Sequence, residues 1–173
     1  ADTGRALARG MFEQGADIIY HAAGPTGHGV FRAAQEAGRW AIGVDRDQWD
    51  EGLDAATGKS VVLTSMLKRV DRAGEDLVAA CLEDRFPGGR IVELGLKEDG
   101  VGYVYDDHNR SLIPDAVVRR VEEIRRDVIA GKITGDMGAF MGRVKPNKDQ
   151  NDPGIELTPP SNSGTMTATI TPK

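Results

Sequence analysis

One aspartate lies where a carboxylate could bind hydroxyl groups. Asp45 ends the apolar stretch "RWAIGVD" and is followed by the polar residues "RDQ". If this stretch is a buried strand, its last residue lies at the edge of the sheet, where α/β proteins form their binding crevices. A carboxylate there can accept hydrogen bonds from two adjacent hydroxyl groups, such as those of a ribose. The alternative is that Asp45 is a turn or helix-capping residue.

Lys68 is a second candidate for binding. In "LTSMLKRVD" it follows an apolar stretch and begins a helical pattern, so we expect it in the first turn of a helix. A cation is unfavourable there because the N-terminal end of a helix carries a partial positive charge. A lysine in an unfavourable position suggests that a ligand or a carboxylate balances its charge. The alternative is an ordinary exposed lysine.

A glycine-rich turn connects a strand-like stretch to a helical one. The segment "YHAAGPTGHGVF", residues 20–31, contains Gly24, Gly27 and Gly29. Their order is G-x-x-G-x-G, whereas a dinucleotide-binding turn requires G-x-G-x-x-G, so no nicotinamide cofactor is expected. Backbone N–H groups at the start of the helix could still face a polar group of a ligand. The alternative is that the glycines only allow the chain to turn tightly.

A second glycine segment resembles a phosphate-binding P-loop at its end only. In "GLDAATGKS", residues 52–60, the first glycine is one position too early for that motif. The segment also precedes a strand-like stretch, whereas a P-loop precedes a helix. We therefore expect no phosphate site here.

Neither a metal centre nor a catalytic nucleophile is indicated. The three histidines, His21, His28 and His108, form no H-x-H or H-x-x-x-H pair. The chain has no G-x-S-x-G motif of a serine hydrolase. The single cysteine, Cys81, lies among apolar residues at helical spacing, so we expect it to be buried. These observations predict a non-enzymatic protein with no metal and no cofactor.

Strand-like and helix-like segments alternate along most of the chain. Helical patterns cover residues 2–14, 27–38, 66–86 and 114–131, and strand-like stretches cover residues 16–23, 39–45, 59–65, 90–96 and 101–106. This alternation predicts an α/β fold with a parallel sheet that is flanked by helices and buried on both faces. The loops that begin at Ala23, Asp45 and Ser65 then follow the carboxyl ends of three strands and should form one crevice.

The composition excludes some classes of partner. The chain has 173 residues and a net charge of −5, so it offers no positive surface for nucleic acid. No apolar run approaches the roughly 20 residues that cross a membrane. The segment "ADTGRALARG" at the start does not read as a signal peptide.

The sequence divides into two regions. Residues 1–133 carry the alternating pattern, and we interpret them as an α/β lobe. Residues 134–173 combine many proline, glycine, asparagine and threonine residues with no helical stripe. We interpret them as an irregular extension with one possible strand, "TMTATIT", residues 165–171.

Three stretches, taken together, resemble one protein family. They are "GRALARGMFEQGADIIYHAAGPTGHGVFRAAQEAGRWAIGVDRDQ", "VLTSMLKRVD" and "GGRIVELGLKEDGVGY". In this order they are similar to the basic membrane protein family, the PnrA-like substrate-binding lipoproteins of ABC importers. The resemblance covers residues 2–132. It implies one lobe of a type I periplasmic-binding-protein fold, in which two α/β lobes close on a purine nucleoside.

The resemblance also implies roles for individual residues. Asp45 resembles the family's aspartate that holds the ribose hydroxyls, and Lys68 resembles the lysine that reaches the same end of the nucleoside. Gly24 resembles part of the turn that lines the cleft. An ABC-transporter permease is the implied partner, and the implied location is extracytoplasmic, although the chain itself carries no signal. No catalysis and no cofactor are implied.

A complete member of the family is about twice as long as this chain. The resemblance implies that the first lobe and the opening strands of the second lobe are absent, which leaves an exposed edge on the sheet. An alternative function follows: a self-assembling structural subunit, in which residues 165–171 pair with that edge in the same chain or in a neighbouring copy.

Overall fold

The computed structural model describes residues 1–133, and in them strands and helices alternate as the sequence predicts. The helices are α1 (Asp2–Glu13), α2 (Gly27–Ala37), α3 (Val70–Leu82) and α4 (Asp115–Ile129). The strands are β1 (Ile18–Tyr20), β2 (Trp40–Gly43), β3 (Leu53–Asp54), β4 (Lys59–Ser60), β5 (Val62–Lys68) and β6 (Val101–Tyr103). Residues 1–129 form one compact unit. The predicted extension at residues 134–173 lies outside the described residues.

The first helix packs its buried face against α2. Ala8 and Phe12 are buried and lie four positions apart, so they share one face of α1. The helix begins at Asp2, and the cap position is Ala1 with no side-chain hydrogen bond. The helix ends before Gly15, whose φ of 99° the helix cannot accommodate.

Four strands form the main sheet, in the order β1-β2-β5-β6. The first three are parallel, with Tyr20 opposite Ile42 and Gly43 opposite Ser65. Their carboxyl ends therefore meet at one edge, as predicted. The predicted parallel sheet flanked by helices is confirmed, with one difference: β6 pairs antiparallel with β5. The short β3 and β4 form an antiparallel hairpin at residues 53–60, which a P-loop would not.

The core lies on one face of the sheet. It is formed by buried apolar residues of α1, α2, β1, β2 and β5: Ala8, Phe12, Ile19, Val30, Phe31, Ala33, Ala34, Ala41 and Val62. Phe31, with 1 % of its surface exposed, lies at its centre. Burial of apolar surface stabilises a fold by about 25 cal/mol per Å², so the packing of α1 and α2 on the sheet supplies most of the hydrophobic stabilisation. Burial on both faces is therefore a wrong prediction.

Among residues 1–133, β1 is an edge strand of the sheet. Ile19 is buried, whereas Ile18 and Tyr20 on the other face are 39 % and 52 % exposed. The sheet edge that the sequence predicts is thus present. The pairing of residues 165–171 with this edge stays a prediction, because those residues are outside the described part of the chain.

Residues 66–99 differ most from expectation. The strand β5 extends through Lys68, so Lys68 is not in the first turn of a helix. The stretch "RIVELGL" forms no strand, and Ile91 within it is 92 % exposed. Cys81 is exposed, not buried, since α3 has no buried residue.

The last described helix confirms its prediction. Pro114 precedes α4 and its carbonyl accepts from the Val117 N–H at 2.8 Å, and Gly131 follows the helix with a φ of 69°. The Tyr103 hydroxyl donates to Glu122 at 3.1 Å and so connects β6 to α4. Within residues 1–133, no helix has the length and apolar character needed to cross a membrane.

Candidate functional site

Asp45 and Lys68 meet at the carboxyl edge of the parallel strands. Asp45 follows β2 by two residues, and Lys68 is the last residue of the neighbouring β5. The Nζ of Lys68 lies 2.6 Å from Oδ1 of Asp45. Their backbones also touch, since the Lys68 N–H donates to the Asp45 carbonyl at 2.9 Å. The sequence predicts both residues at this edge, and the structure joins them in one ion pair.

The ion pair stays accessible from solution. The side chains of Lys68 and Asp45 are 57 % and 53 % exposed. The hydrogen bond that Lys68 donates to Asp45, and then the negative charge of Asp45, raise the pKa of Lys68 above its usual value, with a smaller contribution of the same sign from Tyr20. Lys68 is therefore charged throughout the physiological pH range, and polar atoms of both side chains can reach a ligand.

Tyr20 is a residue that the sequence analysis did not select. It ends β1 at the same edge of the sheet, and half of its surface is exposed. The alternating exposure of β1, with Ile19 buried, turns the Tyr20 side chain away from the core. An aromatic residue at the last position of a strand could have identified Tyr20 as a candidate site residue. It was not selected because the stretch at residues 16–23 was interpreted as a fully buried strand.

Gly24 begins the turn between β1 and α2. It opens a short 3₁₀ turn, Gly24–Thr26, and has a φ of 50° in the left-handed region. No atom outside its neighbours lies close to where a Cβ would stand. Conformation, rather than crowding, thus requires glycine at this position. The two alternatives for Gly24, a tight turn and a wall of the cleft, are compatible with each other.

The other glycines of this turn have a packing role. A Cβ on Gly27 would overlap the imidazole of His21, and a Cβ on Gly29 would overlap the backbone of Ala1 and Arg5. These contacts bring the first turn of α2 against β1 and α1. Close packing, rather than the tight turn that was the alternative, therefore explains glycine at positions 27 and 29.

The three histidines lie in different surroundings. His21 is buried, and burial lowers its pKa below the usual value. His28 Nδ1 lies 3.2 Å from Glu51 Oε2, and the ring of His108 stacks on Trp49 with centroids 4.1 Å apart. Within residues 1–133, no group of three or more histidine, cysteine or acidic side chains is arranged to hold a metal ion.

Among residues 1–133, the structure forms an α/β lobe whose three parallel strands end at one edge of the sheet. The chain belongs to the Bmp family, described as "ABC transporter substrate-binding protein PnrA-like", whose sequence profile matches residues 1–134. This confirms the resemblance found in the sequence.

Curated proteins of similar sequence support the assignment of the chain to this family. The chain is 44 % identical over 143 residues to the "CD4+ T-cell-stimulating antigen" of Listeria monocytogenes, a match that covers 77 % of this chain and 39 % of the relative. It is 37 % identical over 145 residues to the "ABC transporter nucleoside-binding protein BmpA" of Lactococcus lactis, covering 78 % and 40 %. The chain thus spans about two fifths of the length of these relatives.

Two solved structures share the fold. A transcriptional activator of the comK gene from Bacillus halodurans matches with a TM-score of 0.62 and 22 % identity, over 78 % of this chain and 44 % of that chain. A solute-binding protein of an ABC transporter from Conexibacter woesei matches with a TM-score of 0.59 and 20 % identity, over 77 % and 41 %. At these identities the likeness concerns the fold.

Proposed function

We propose that this lobe binds the ribose of a purine nucleoside through Asp45 and Lys68, as part of the substrate receptor of an ABC importer. The observation that carries the proposal is the ion pair of 2.6 Å at the carboxyl edge of parallel strands. The family of the chain and the name of the Lactococcus lactis relative, a nucleoside-binding protein, support the class of ligand.

The two side chains complement a pair of adjacent hydroxyl groups. A carboxylate has about four sites that accept hydrogen bonds, so Asp45 can accept from two hydroxyls while it keeps Lys68. The ammonium group has three donors and uses one of them on Asp45. It can therefore donate to a hydroxyl oxygen, and it balances the carboxylate charge when a ligand displaces water.

Other groups at this edge fit a nucleoside. Tyr20 offers an exposed aromatic ring on which a base can stack, and such stacking contributes about 1–3 kcal/mol per base. Gly24 allows the chain to approach a ligand with no side chain in the way. A single lobe contributes one wall of a cleft, so we expect weak binding, with a Kd on the order of 1 mM, or about −4 kcal/mol.

The site supports binding rather than catalysis. A paired carboxylate and ammonium offer hydrogen bonds and charge, but neither group is arranged as an activated nucleophile. By the same family argument, the partner of the complete receptor is an ABC-transporter permease, and its location is extracytoplasmic.

A titration monitored by NMR tests the ribose contact of Asp45. Inosine, guanosine and adenosine are added to the protein, and we expect shifts at the amides of residues 24, 45 and 68. Asp45→Asn should weaken binding about 10-fold, since a charge-assisted hydrogen bond contributes about 1.5–3 kcal/mol. The matched control is Asp47→Asn: Asp47 caps the Trp49 N–H at 3.0 Å, and asparagine can still accept that bond.

A second pair of variants and a second ligand test whether the site binds the ribose hydroxyl groups of the nucleoside. Lys68→Met should weaken binding, whereas Lys59→Met, at an exposed lysine on β4, should leave binding unchanged. The analogue 2′,3′-dideoxyinosine lacks the two adjacent hydroxyls at 2′ and 3′ and should not bind. Binding of that analogue as tightly as inosine, or binding unaffected by Asp45→Asn, would contradict the proposal.

A further inference from the structure

Asp45 has an unusual backbone conformation. Its φ of 73° lies in the left-handed region, which aspartate adopts more readily than most residues but less readily than glycine. Such residues persist only where the surrounding structure holds them in place. The side chain that forms the ion pair with Lys68 thus depends on contacts that fix the turn after β2.

Gln48 supplies contacts on both sides of this turn. Its side-chain Oε1 accepts a hydrogen bond from the Val44 N–H at 2.7 Å, directly before Asp45. Its own N–H donates to the Ser65 hydroxyl at 3.1 Å. Gln48 is 9 % exposed and Ser65 is fully buried. The turn is therefore closed by a buried glutamine and joined to β5 by a buried serine.

Glu51 determines the orientation of the Gln48 amide. The Gln48 Nε2 donates to Glu51 Oε2 at 3.0 Å, and an ionised carboxylate can only accept. The amide nitrogen must therefore face Glu51, and the amide oxygen must face the Val44 N–H. Glu51 is itself held by an ion pair with Arg46 and by the contact with His28.

Gly43 leaves the space that Gln48 occupies. A Cβ at Gly43 would stand 2.5 Å from the Ser65 Oγ and 2.9 Å from the Gln48 Oε1. The last residue of β2 thus has no side chain because two polar side chains pack against it. Strand β2, the turn and strand β5 form one tightly packed unit beneath Asp45.

We propose that Gln48 is a positioning residue that holds Asp45 in the left-handed conformation which places its carboxylate beside Lys68. Gln48 does not touch the ligand in this proposal, because its polar atoms are already engaged below the binding edge. It acts by satisfying the Val44 N–H, which the left-handed turn would otherwise leave unpaired in a buried position. For the ligand, the inference rests on the proposed function, but the positioning itself can be measured without a ligand.

The test measures the pKa of Lys68 in Gln48→Met. Methionine fills a similar volume and removes both side-chain hydrogen bonds of Gln48. The ¹³Cε shift of Lys68 is followed through a pH titration, with Lys59 and Lys97 as internal references. Asp45→Asn removes the charge and defines the value of Lys68 without its partner, which should lie near the usual 10.5.

We expect Gln48→Met to lower the pKa of Lys68 at least halfway from the wild-type value to the value in Asp45→Asn. The matched control is Gln35→Met, because Gln35 donates to the Gly52 carbonyl at 3.1 Å but contacts neither Val44 nor Ser65. Gln35→Met should leave the pKa of Lys68 unchanged. An unchanged pKa in a folded Gln48→Met variant would overturn the inference.

A second variant covers the case in which Gln48→Met does not fold. Ser65→Ala removes the hydrogen bond that ties the Gln48 backbone to β5, so the Gln48 side chain should lose its fixed position beside the Val44 N–H. The same two outcomes for the pKa of Lys68 then decide the question. With nucleoside, the loss of affinity in Gln48→Met should disappear in the Asp45→Asn background. If the wild type binds no nucleoside but Gln48→Met still lowers the pKa of Lys68, the proposed function fails and the positioning role stands.

Discussion

The imidazole of His21 packs edge-on against the ring of Phe31, with centroids 5.0 Å apart and planes at 65°. His21 is 5 % exposed, and neither of its ring nitrogens has a hydrogen-bond partner among the described residues. A buried polar group without a partner costs about 1–3 kcal/mol. The packing of the neutral ring against Phe31 therefore has to offset the cost of its two unpaired nitrogen atoms.

This environment makes the stability of the lobe depend on pH. Burial lowers the pKa of His21 in the folded state, with His28 acting in the same direction and Glu51 and Asp45 opposing it. The unfolded chain therefore binds the proton more readily, so the contribution of His21 to stability is complete above about pH 6.5 and is lost as the pH falls. Urea unfolding at pH 8, 7, 6 and 5 should show this decline.

The variant His21→Leu should remove part of the decline. Leucine fills the site without a titrating group, and at pH 5 it should make the protein about 1 kcal/mol more stable than the wild type. His108→Asn is the control, since His108 is exposed and lies outside the core. A pH dependence in His21→Leu equal to that of the wild type would show that other groups cause it.

Gly43→Ala should destabilise the lobe by about 2 kcal/mol, because its methyl group would overlap Ser65 and Gln48. The control is Gly102→Ala on β6, where no atom lies within 4 Å of the new Cβ. That variant should cost less than 1 kcal/mol. The comparison of the two midpoints in urea checks the prediction, and equal effects would contradict the tight packing at the end of β2.

Gly24→Ala and Gly10→Ala should change stability in opposite directions. Alanine at Gly24 must adopt a φ of 50°, which costs about 1–2 kcal/mol. Alanine at Gly10, within α1 and with free space around it, should stabilise the helix by up to about 1 kcal/mol. Thermal unfolding of both variants distinguishes these effects. A stabilised Gly24→Ala variant would show that the turn does not need the left-handed conformation.

Asn109→Ala should destabilise the pairing of β5 with the segment after β6. Its Nδ2 donates to the carbonyls of Leu63 and Val104 at 3.0 and 2.9 Å, and its Oδ1 accepts from the Asp106 N–H at 3.0 Å. Asn109 is 2 % exposed. Removal of these bonds should cost about 2–3 kcal/mol and accelerate amide exchange at residues 101–106. Arg110→Ala, at an exposed neighbour, should do neither.

Local patterns predicted the elements that pack on the core. The apolar spacing of α1 and α2 and the short apolar stretch of β2 each agree with their tertiary surroundings, and so the sequence was sufficient to locate them. The carboxyl-edge position of Asp45 followed from the same reasoning. Its left-handed φ did not, because that conformation depends on Gln48 and Ser65, which are distant in sequence or have no periodic signal.

Other features depend on contacts between residues that are distant in sequence, and a local sequence pattern does not show these contacts. Ile91 and Val92 have strand-forming side chains, but their side chains stay 92 % and 57 % exposed, and a strand is stabilised by the packing of its side chains on neighbouring residues. Lys68 belongs to β5 because β6 extends the pairing of that strand to its last residue. Cys81 has apolar neighbours in sequence, yet the described residues provide nothing that buries α3.

Because the core lies on one face of the sheet, residues 1–68 and the residues that follow them differ in their resistance to local unfolding. The buried apolar side chains belong to α1, α2 and the strands up to β5, whereas Val70, Val78 and Leu82 of α3 are 73 %, 61 % and 82 % exposed. Segments with few buried contacts open with the lowest free energy. Limited proteolysis should therefore cut the segment that follows Lys68 before it cuts the segment that precedes it. Residues 1–68 should remain as the longest-lived fragment.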